Sequence, residues 1–218
     1  MFSKIVLLIA ASLCVSCSVV QDSDLTLTLY YEGLCPDCHV FILEQLYPGY
    51  QQLGDSFKLD LVPYGFENYE KLPNGTIKYT CQHGDNECYI NRIHACVIDQ
   101  NPVQSDLISF LQCYLSQASV YNIFEELLDI AKDCSGGTIS FDDLQVCVEG
   151  SHADELLLSY SERQSELTPK LAYVPQIRFN GVYDPDLEND ATQDFVATIC
   201  ELLKDNKPNV CEAQGGNF

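Results

Sequence analysis

The chain has 218 residues and carries 32 acidic against 11 basic side chains, which gives a formal net charge of −21 at pH 7. A field of this sign repels phosphate groups, so it excludes nucleic acid and anionic membrane surfaces as main partners. The length is enough for one good hydrophobic core, or for one domain with a substantial insertion.

Residues 1–18 have the form of a secretory signal peptide. Lys4 precedes an apolar run from Ile5 to Leu13, and small residues follow as far as Cys17 and Ser18. No later run of about 18 apolar residues exists, so no membrane span is expected in the mature chain; a retained N-terminal anchor is the alternative interpretation. Residues 19–218 are therefore expected to form a single domain that enters the secretory pathway.

The mature chain begins with a predicted strand, helix and strand. Polar and apolar residues alternate from Leu25 to Tyr31, which predicts the first strand. A helix is predicted from Val40 to Tyr47, and Pro48-Gly49 is expected to end it. Phe57 to Tyr64 predicts a second strand. This order within about 40 residues predicts a βαβ unit with parallel strands and a right-handed crossover.

Residues 81–167 differ in character and predict a helical insertion, without a strand of its own, into an α/β core of residues 24–80 and 168–206. Apolar residues recur there at helical spacing, and Ser151 is placed to cap the last helix. Three helices are predicted, around Leu107 to Leu115, Ile123 to Ala131 and Ala153 to Tyr160.

The sheet is expected to resume near the C-terminus. Tyr173 to Phe179 predicts a strand, and Asn180-Gly181 predicts a two-residue hairpin turn directly after it. Phe195 to Leu203 predicts the last amphipathic helix. The tail, residues 207–218, is expected to be loose.

Cysteines are numerous: the chain has 12, and ten remain if cleavage falls after Cys17. An even set in a secretory chain predicts disulfides, but the spacing alone leaves many connectivities open. With Cys35 and Cys38 paired to each other, the other eight are expected to be structural. They are Cys81, Cys88, Cys96, Cys113, Cys134, Cys147, Cys200 and Cys211. The tail cysteine, Cys211, also permits a disulfide-linked dimer.

A single glycosylation sequon is present. Asn74 begins Asn-Gly-Thr within a Pro73-Asn74-Gly75 turn signal. A glycan on Asn74 would therefore lie in a surface turn, where it does not disturb the core.

The functional prediction rests on Cys35-Pro36-Asp37-Cys38, which lies between the first strand and the first helix. A helix N-terminus offers unpaired N–H groups and a positive dipole end, and both favour thiolate over thiol. The alternatives are a structural disulfide and half of a zinc site. Zinc is disfavoured because oxidising compartments keep thiols paired, and because Cys81, Cys88 and Cys96 supply no second Cys-x-x-Cys. No metal site is therefore expected.

Val174-Pro175 supports the redox interpretation. Proline is normally excluded from strand interiors, and only an X-Pro bond takes the cis form at modest cost. A cis bond here would bend the chain towards the dithiol and expose backbone groups that can pair with an extended substrate. An ordinary edge-strand proline is the alternative.

Asp37 and His39 are candidates for tuning the thiol pKa. A thiol with a pKa of about 8.5 is only about 0.03% thiolate at pH 5, so attack there requires a shift of about three units. The helix dipole supplies part of this, and N–H groups donating to the Cys35 sulfur are expected to supply much of the rest. A charged Asp37 would oppose the shift and a cationic His39 would assist it.

Cys81 to Cys96 match in full the Cys-Gln-His-Gly-x2-Glu-Cys-x2-Asn-x4-Cys signature of the gamma-interferon-inducible lysosomal thiol reductases, so the chain resembles that family. The resemblance covers nearly all of the mature chain. Further similar segments are Leu29 to Glu32, Leu61 to Gly65, Tyr173 to Pro175 and Pro208 to Cys211.

The resemblance implies a thioredoxin-like α/β fold with a disulfide-stapled helical insertion, in which Cys35 attacks and Cys38 resolves. It implies reduction of disulfides in unfolded, endocytosed proteins, with small thiols such as cysteine as reductant and no bound cofactor. Of the signature, the cysteines are expected to fix the insertion, and His83 and His94 to be structural or surface groups. The alternatives are an oxidase or isomerase of the secretory pathway, and a non-catalytic disulfide-stabilised extracellular binding protein.

Overall fold

The computed structural model describes residues 25–118, 122–204 and 207–214. Its five strands are β1 Thr26–Tyr31, β2 Lys58–Pro63, β3 Asn68–Lys71, β4 Ile77–Thr80 and β5 Gln176–Phe179. β2, β1 and β5 form one sheet in that order, and β3 pairs with β4 in a separate hairpin. β1 is parallel to β2 and antiparallel to β5. The parallel βαβ unit is therefore confirmed.

The described residues also form ten α-helices. They are α1 Pro36–Val40, α2 Tyr47–Leu53, α3 Asp85–Asp99, α4 Gln104–Leu115, α5 Phe124–Cys134, α6 Phe141–Glu149, α7 His152–Ser165, α8 Pro185–Gln193, α9 Phe195–Leu202 and α10 Asn209–Gln214. A π-helical segment, Phe41–Leu46, joins α1 to α2, and a 3-10 turn, Gly54–Ser56, follows α2. No helix among the described residues has the length and apolar character that a bilayer crossing requires.

The first helix does not end at Pro48-Gly49, so that prediction is wrong. The segment before α2 is π-helical, with the Tyr47 N–H bonded to the Ile42 carbonyl, and Pro48 lies in the first turn of α2, where a missing donor costs little. Gly49 is required by packing, because a Cβ there would lie 2.4 Å from Cδ1 of Phe195. The two residues that resemble a stop signal therefore continue the helix.

The β3–β4 hairpin was not predicted. Its strands have four residues each. All of β3 is exposed, and β4 alternates over only two apolar side chains, Ile77 and Tyr79, which is too short a pattern to identify a strand. The predicted turn forms its tip: Gly75 has φ +87°, which favours glycine, and Asn74 is exposed.

The insertion is helical, and α4, α5 and α7 confirm the three predicted helices. α3 and α6 were not predicted. Ser151 is at the N-cap of α7, but its side chain makes no capping hydrogen bond. Three disulfides lie within the insertion, namely Cys81–Cys88, Cys96–Cys147 and Cys113–Cys134.

The predicted hairpin after β5 forms only its turn. Asn180 and Gly181 have φ of 53° and 78°, as a primed turn requires, but a single bridge between Phe179 and Val182 follows. Asp184 then caps α8 immediately, accepting from the Asp186 and Leu187 N–H groups, so no second strand develops.

The tail is held by a disulfide, which corrects two predictions. Cys211 lies in α10, is buried, and is bonded to Cys200 of α9. The described tail residues are therefore not loose, and Cys211 has no free sulfur with which to link a dimer. The signal-peptide prediction for residues 1–18, and residues 215–218 of the predicted tail, lie outside the described residues.

Candidate active site

Cys35 is the N-cap residue of α1, at the end of the turn that follows β1. Its backbone is extended, with φ −66° and ψ 119°, and Pro36 occupies the first turn, where proline's fixed φ suits a helix start. The Cys38 N–H donates to Cys35 Sγ at 3.3 Å. The helix start therefore directs an otherwise unpaired N–H at the sulfur, as the sequence predicts.

The two thiols differ in electrostatic environment. The Cys38 thiol donates to the Cys35 sulfur and lowers the pKa of Cys35; burial opposes this, and the backbone N–H groups of Cys38 and Asp37 support it. Burial raises the pKa of Cys38 well above its ordinary value, and its contact with Cys35 raises it further. Negative charge is thus favoured on Cys35 while a proton is held on Cys38, which is the asymmetry that a nucleophile and a resolving thiol require.

The Val174-Pro175 bond is cis, as predicted, and lies beside the dithiol. Cys35 Sγ is 3.7 Å from the Val174 carbonyl oxygen, within reach of an S–H···O hydrogen bond. The loop before β5 and the start of α1 therefore meet at the reactive sulfur.

A cavity of about 610 Å³ opens next to these groups. Val40, which is 51% exposed, and Tyr173, which is 43% exposed, leave apolar surface at its mouth. Its lining comes from α1, the π-helical segment, α8 and the loop that contains Tyr173, Val174 and Pro175, here called the cis-proline loop. The lining residues are Asp37, Val40, Phe41, Tyr173, Val174, Pro175, Pro185, Glu188, Asn189 and Thr192. A pocket of this size can accept side chains of an extended polypeptide.

Glu188 on α8 fixes the cis-proline loop, and sequence reasoning missed it. It is buried; Oε2 accepts the Ile177 N–H at 2.7 Å, and Oε1 accepts the Tyr173 hydroxyl. Tyr173 also bonds to the Tyr183 hydroxyl at 2.6 Å. No local signal distinguishes this glutamate, because its partners Ile177 and Tyr173 are 11 and 15 positions away.

Asp37 and His39, the two candidates for tuning the thiol pKa, lie on either side of Cys38 in α1. Asp37 is exposed at the cavity, and its backbone N–H is the part that supports the Cys35 thiolate. His39 Nε2 lies 2.8 Å from the Gly33 carbonyl oxygen, so it donates there and fixes the turn before the dithiol. Neither side chain is bonded to the Cys35 sulfur among the described contacts. The pKa of Cys35 is lowered by the Cys38 thiol and by the backbone N–H groups of Cys38 and Asp37, and an effect of the Asp37 and His39 side chains stays a prediction.

Buried carboxyl groups lie behind the dithiol. Burial raises the pKa of Glu32 to about 7, and the neighbouring Glu87 adds to the shift. Burial also raises the pKa of Glu67 to about 8. Asn91 connects this region to the turn, because its amide donates to Glu67 at 3.0 Å while its oxygen accepts the Gly33 N–H at 2.8 Å. A residue of the signature, Asn91, therefore holds the turn that precedes the dithiol.

His94, the other signature histidine, is fully buried in the core. Its Nδ1 is 3.1 Å from the Tyr31 hydroxyl, and its ring packs edge-on against Tyr114. Burial lowers the pKa of His94 to about 3, so the ring is neutral at neutral pH. The expectation of a structural role fits this position.

Comparison with known sequences identifies the same family as the cysteine signature does. A family model described as gamma interferon inducible lysosomal thiol reductase (GILT) matches residues 26–136. A Carassius auratus protein named gamma-interferon-inducible lysosomal thiol reductase is 33% identical over 198 residues, which cover 89% of this chain and 75% of that protein. An Arabidopsis thaliana protein named gamma-interferon-responsive lysosomal thiol protein is 34% identical over 196 residues, covering 88% and 78%.

Comparison with solved structures supports the fold. DsbA of Chlamydia trachomatis superposes with a TM-score of 0.58 at 15% identity, covering 83% of this chain and 88% of its own. BdbD of Bacillus subtilis gives 0.58 at 16% identity, covering 84% and 90%. The chain therefore has the expected thioredoxin-like α/β fold with a helical insertion.

Proposed function

The chain belongs to the gamma-interferon-inducible lysosomal thiol reductase family and is a thiol-disulfide oxidoreductase; on that premise we propose that Cys35 and Cys38 are the redox pair with which it reduces protein disulfides. The observation that carries the proposal is the position of Cys35 Sγ. It accepts the Cys38 N–H at the start of α1 and lies 3.7 Å from the carbonyl oxygen of Val174, a residue that lines the cavity.

The reaction proceeds by two exchanges. The Cys35 thiolate attacks one sulfur of the substrate disulfide, which forms a mixed disulfide and expels the other substrate sulfur as thiolate. Cys38 then loses its proton and attacks Cys35 Sγ, which releases the second substrate sulfur and leaves a Cys35–Cys38 disulfide. Two electrons have passed to the substrate. Two small thiols, such as cysteine, return them, and become a small-molecule disulfide.

Substrate binding is assigned to the loop that contains Val174 and Pro175. Backbone groups at this loop can pair with an extended polypeptide, and the adjoining cavity accepts its side chains. An unfolded substrate satisfies both requirements, because a folded chain seldom offers an extended segment at its disulfide.

The setting is proposed to be acidic endosomes or lysosomes. Four disulfides among the described residues, and the word lysosomal in the names of the Carassius auratus and Mus musculus relatives, support it. The net charge of −21 also supports it, since protonation of carboxylates at low pH relieves the repulsion between them. Asn74, exposed in the β3–β4 turn, is the proposed glycosylation site.

Reduction of insulin with cysteine as reductant, at about pH 4.5 and about pH 7, tests the function. The wild type is expected to reduce insulin, and Cys35→Ser is expected to be inactive. Cys38→Ser serves as the matched variant: it keeps the attacking sulfur and is expected to accumulate the mixed disulfide with substrate. An inactive wild type at both pH values, or an active Cys35→Ser, would refute the assignment.

A further inference from the structure

Behind the dithiol, three side chains from two different parts of the chain point their ligand atoms at one another. Glu32 comes from the end of β1, while His83 and Glu87 come from the loop and first turn of α3. A carboxylate oxygen of each glutamate and a ring nitrogen of His83 all lie within 4.8 Å of one another. From this arrangement we infer a binding site for a divalent transition-metal ion of the Zn²⁺ class, with Glu32, His83 and Glu87 as its ligands.

Without an ion, His83 is hydrogen-bonded to Glu87 and lies close to Glu32. His83 Nδ1 is 2.5 Å from Glu87 Oε2 and 3.6 Å from Glu32 Oε2. Zn²⁺ with bonds of about 2 Å holds tetrahedral ligand atoms about 3.3 Å apart, between these two separations. An ion would take the place of the His83–Glu87 hydrogen bond, so the first separation would lengthen and the second would shorten. One nitrogen and two carboxylate oxygens leave a fourth position for water.

Both carboxylates are oriented by backbone groups, which leaves the required oxygens directed inward. Glu32 Oε1 accepts the Phe66 N–H at 2.6 Å, and Glu87 Oε1 accepts the His83 N–H at 3.0 Å. Their Oε2 atoms are the ones that face His83 Nδ1. Outer hydrogen bonds of this kind are what hold metal ligands in place.

Glu32 supplies the observation that points to a ligand. The residue is 1% exposed, and its Oε2 is buried without a hydrogen-bond partner among the described residues. Buried carboxylates are normally paired or coordinate a metal. Arg92, at a variable position within the signature, is engaged by Asp154 and by the Val148 and Gly150 carbonyls instead.

The fold keeps the site open at one side and rigid at the others. The Cys81–Cys88 disulfide closes the loop that carries both His83 and Glu87. Gly65 abuts Glu32, since a Cβ there would lie 2.3 Å from Glu32 Cγ. His83 is 29% exposed and provides the route from solvent. The signature thus supplies two of the three ligands, His83 and Glu87, although the spacing of its cysteines predicts no metal site.

Zn²⁺ binding to the full chain tests the inference. The protein is used with Cys35 and Cys38 oxidised to a disulfide, because free thiols would bind zinc themselves. Titration against a chromophoric chelator is expected to give one Zn²⁺ per chain, and Co²⁺ is expected to give the intense visible spectrum of a low-coordinate site. His83→Gln is expected to weaken Zn²⁺ binding about tenfold or more.

His152→Gln is the matched control, because His152 also pairs with two acids, Asp99 and Glu155, but on the surface. It is expected to leave Zn²⁺ affinity unchanged. If His83→Gln does not fold, Glu32→Gln gives the same test through another ligand. Absence of stoichiometric Zn²⁺ in the wild type, equal affinity in the folded ligand variant, or equal loss in His152→Gln would overturn the inference.

Discussion

Cys35 Sγ and the Val174 carbonyl oxygen lie 3.7 Å apart although 139 positions separate them in the chain. Antiparallel pairing of β5 with β1 creates this proximity, because Leu29 lies opposite Ile177. The chain after β1 and the chain before β5 therefore meet at the same end of the two strands. The sulfur thus lies beside a backbone acceptor that an incoming polypeptide can also approach.

The unequal environments of the two thiols predict unequal reactivity. In the reduced protein at neutral pH, we expect a short pulse of iodoacetamide to modify Cys35 and to leave Cys38 unmodified, because the pKa of Cys35 is lowered and that of Cys38 is raised. Mass spectrometry of the digest measures both sites. Unfolded protein is the control, in which the two rates should be similar. Equal rates in the folded protein would contradict the assignment of roles.

Glu188→Gln is predicted to loosen the cis-proline loop. The two donors use different carboxylate oxygens, and the amide replaces one of these oxygens by an NH2 donor, so either the Ile177 N–H or the Tyr173 hydroxyl loses its acceptor. We expect stability to fall by about 1 to 3 kcal/mol and KM for insulin to rise, since substrate must then order the loop.

The iodoacetamide rate of Cys35 separates this effect from damage to the dithiol and is expected to stay near the wild-type value. Glu201 is an exposed acid on α9, and Glu201→Gln is the matched control, which should alter neither stability nor KM. A Glu188→Gln variant with the wild-type KM would show that the loop does not need this carboxylate.

His94 is predicted to destabilise the fold in acid. Burial lowers its pKa from 6.5 to about 3, so the folded state resists a proton that the unfolded state accepts. The contribution of the neutral ring to folding stability is fully present above about pH 6.5 and is lost as the pH falls towards 3. Between pH 7 and pH 5 this amounts to about 2 kcal/mol.

Urea unfolding at the two pH values measures this contribution. The wild type is expected to lose stability between pH 7 and pH 5. In His94→Gln this loss should be smaller by about 2 kcal/mol. The exposed His152 is the control, and His152→Gln should show no comparable shift. An unchanged pH dependence in His94→Gln would mean that the ring does not remain neutral in the folded protein.

Gly49→Ala tests the close packing of α2 against α9. A Cβ would lie 2.4 Å from Cδ1 of Phe195, so we expect a loss of about 1 to 3 kcal/mol. Gly136→Ala is the control, because nothing lies within 4 Å of its Cβ position, and it should change stability by at most about 0.5 kcal/mol. Thermal unfolding compares the two, and equal melting temperatures would argue against the tight contact.

Local sequence signals identified the elements that carry their own periodicity. β1, β2 and the helices α4, α5, α7 and α9 all bury an apolar stripe or face, so their pattern is visible without knowledge of the fold. The errors occurred where tertiary contacts decide. Pro48-Gly49 resembles a stop signal, yet the π-helical turn before it and Phe195 beside it keep the chain helical.

The sequence by itself determined the chemistry: a dithiol between a strand and a helix, a proline before a later strand, an even set of cysteines and a signature that links them. These depend on residue type and short spacing, which the chain carries locally. Only the tertiary structure decided the partners. Disulfide pairing, the buried Glu32 against His83 and Glu87, and Glu188 against Tyr173 arise from segments distant in sequence, and burial, not composition, gives those carboxylates their roles.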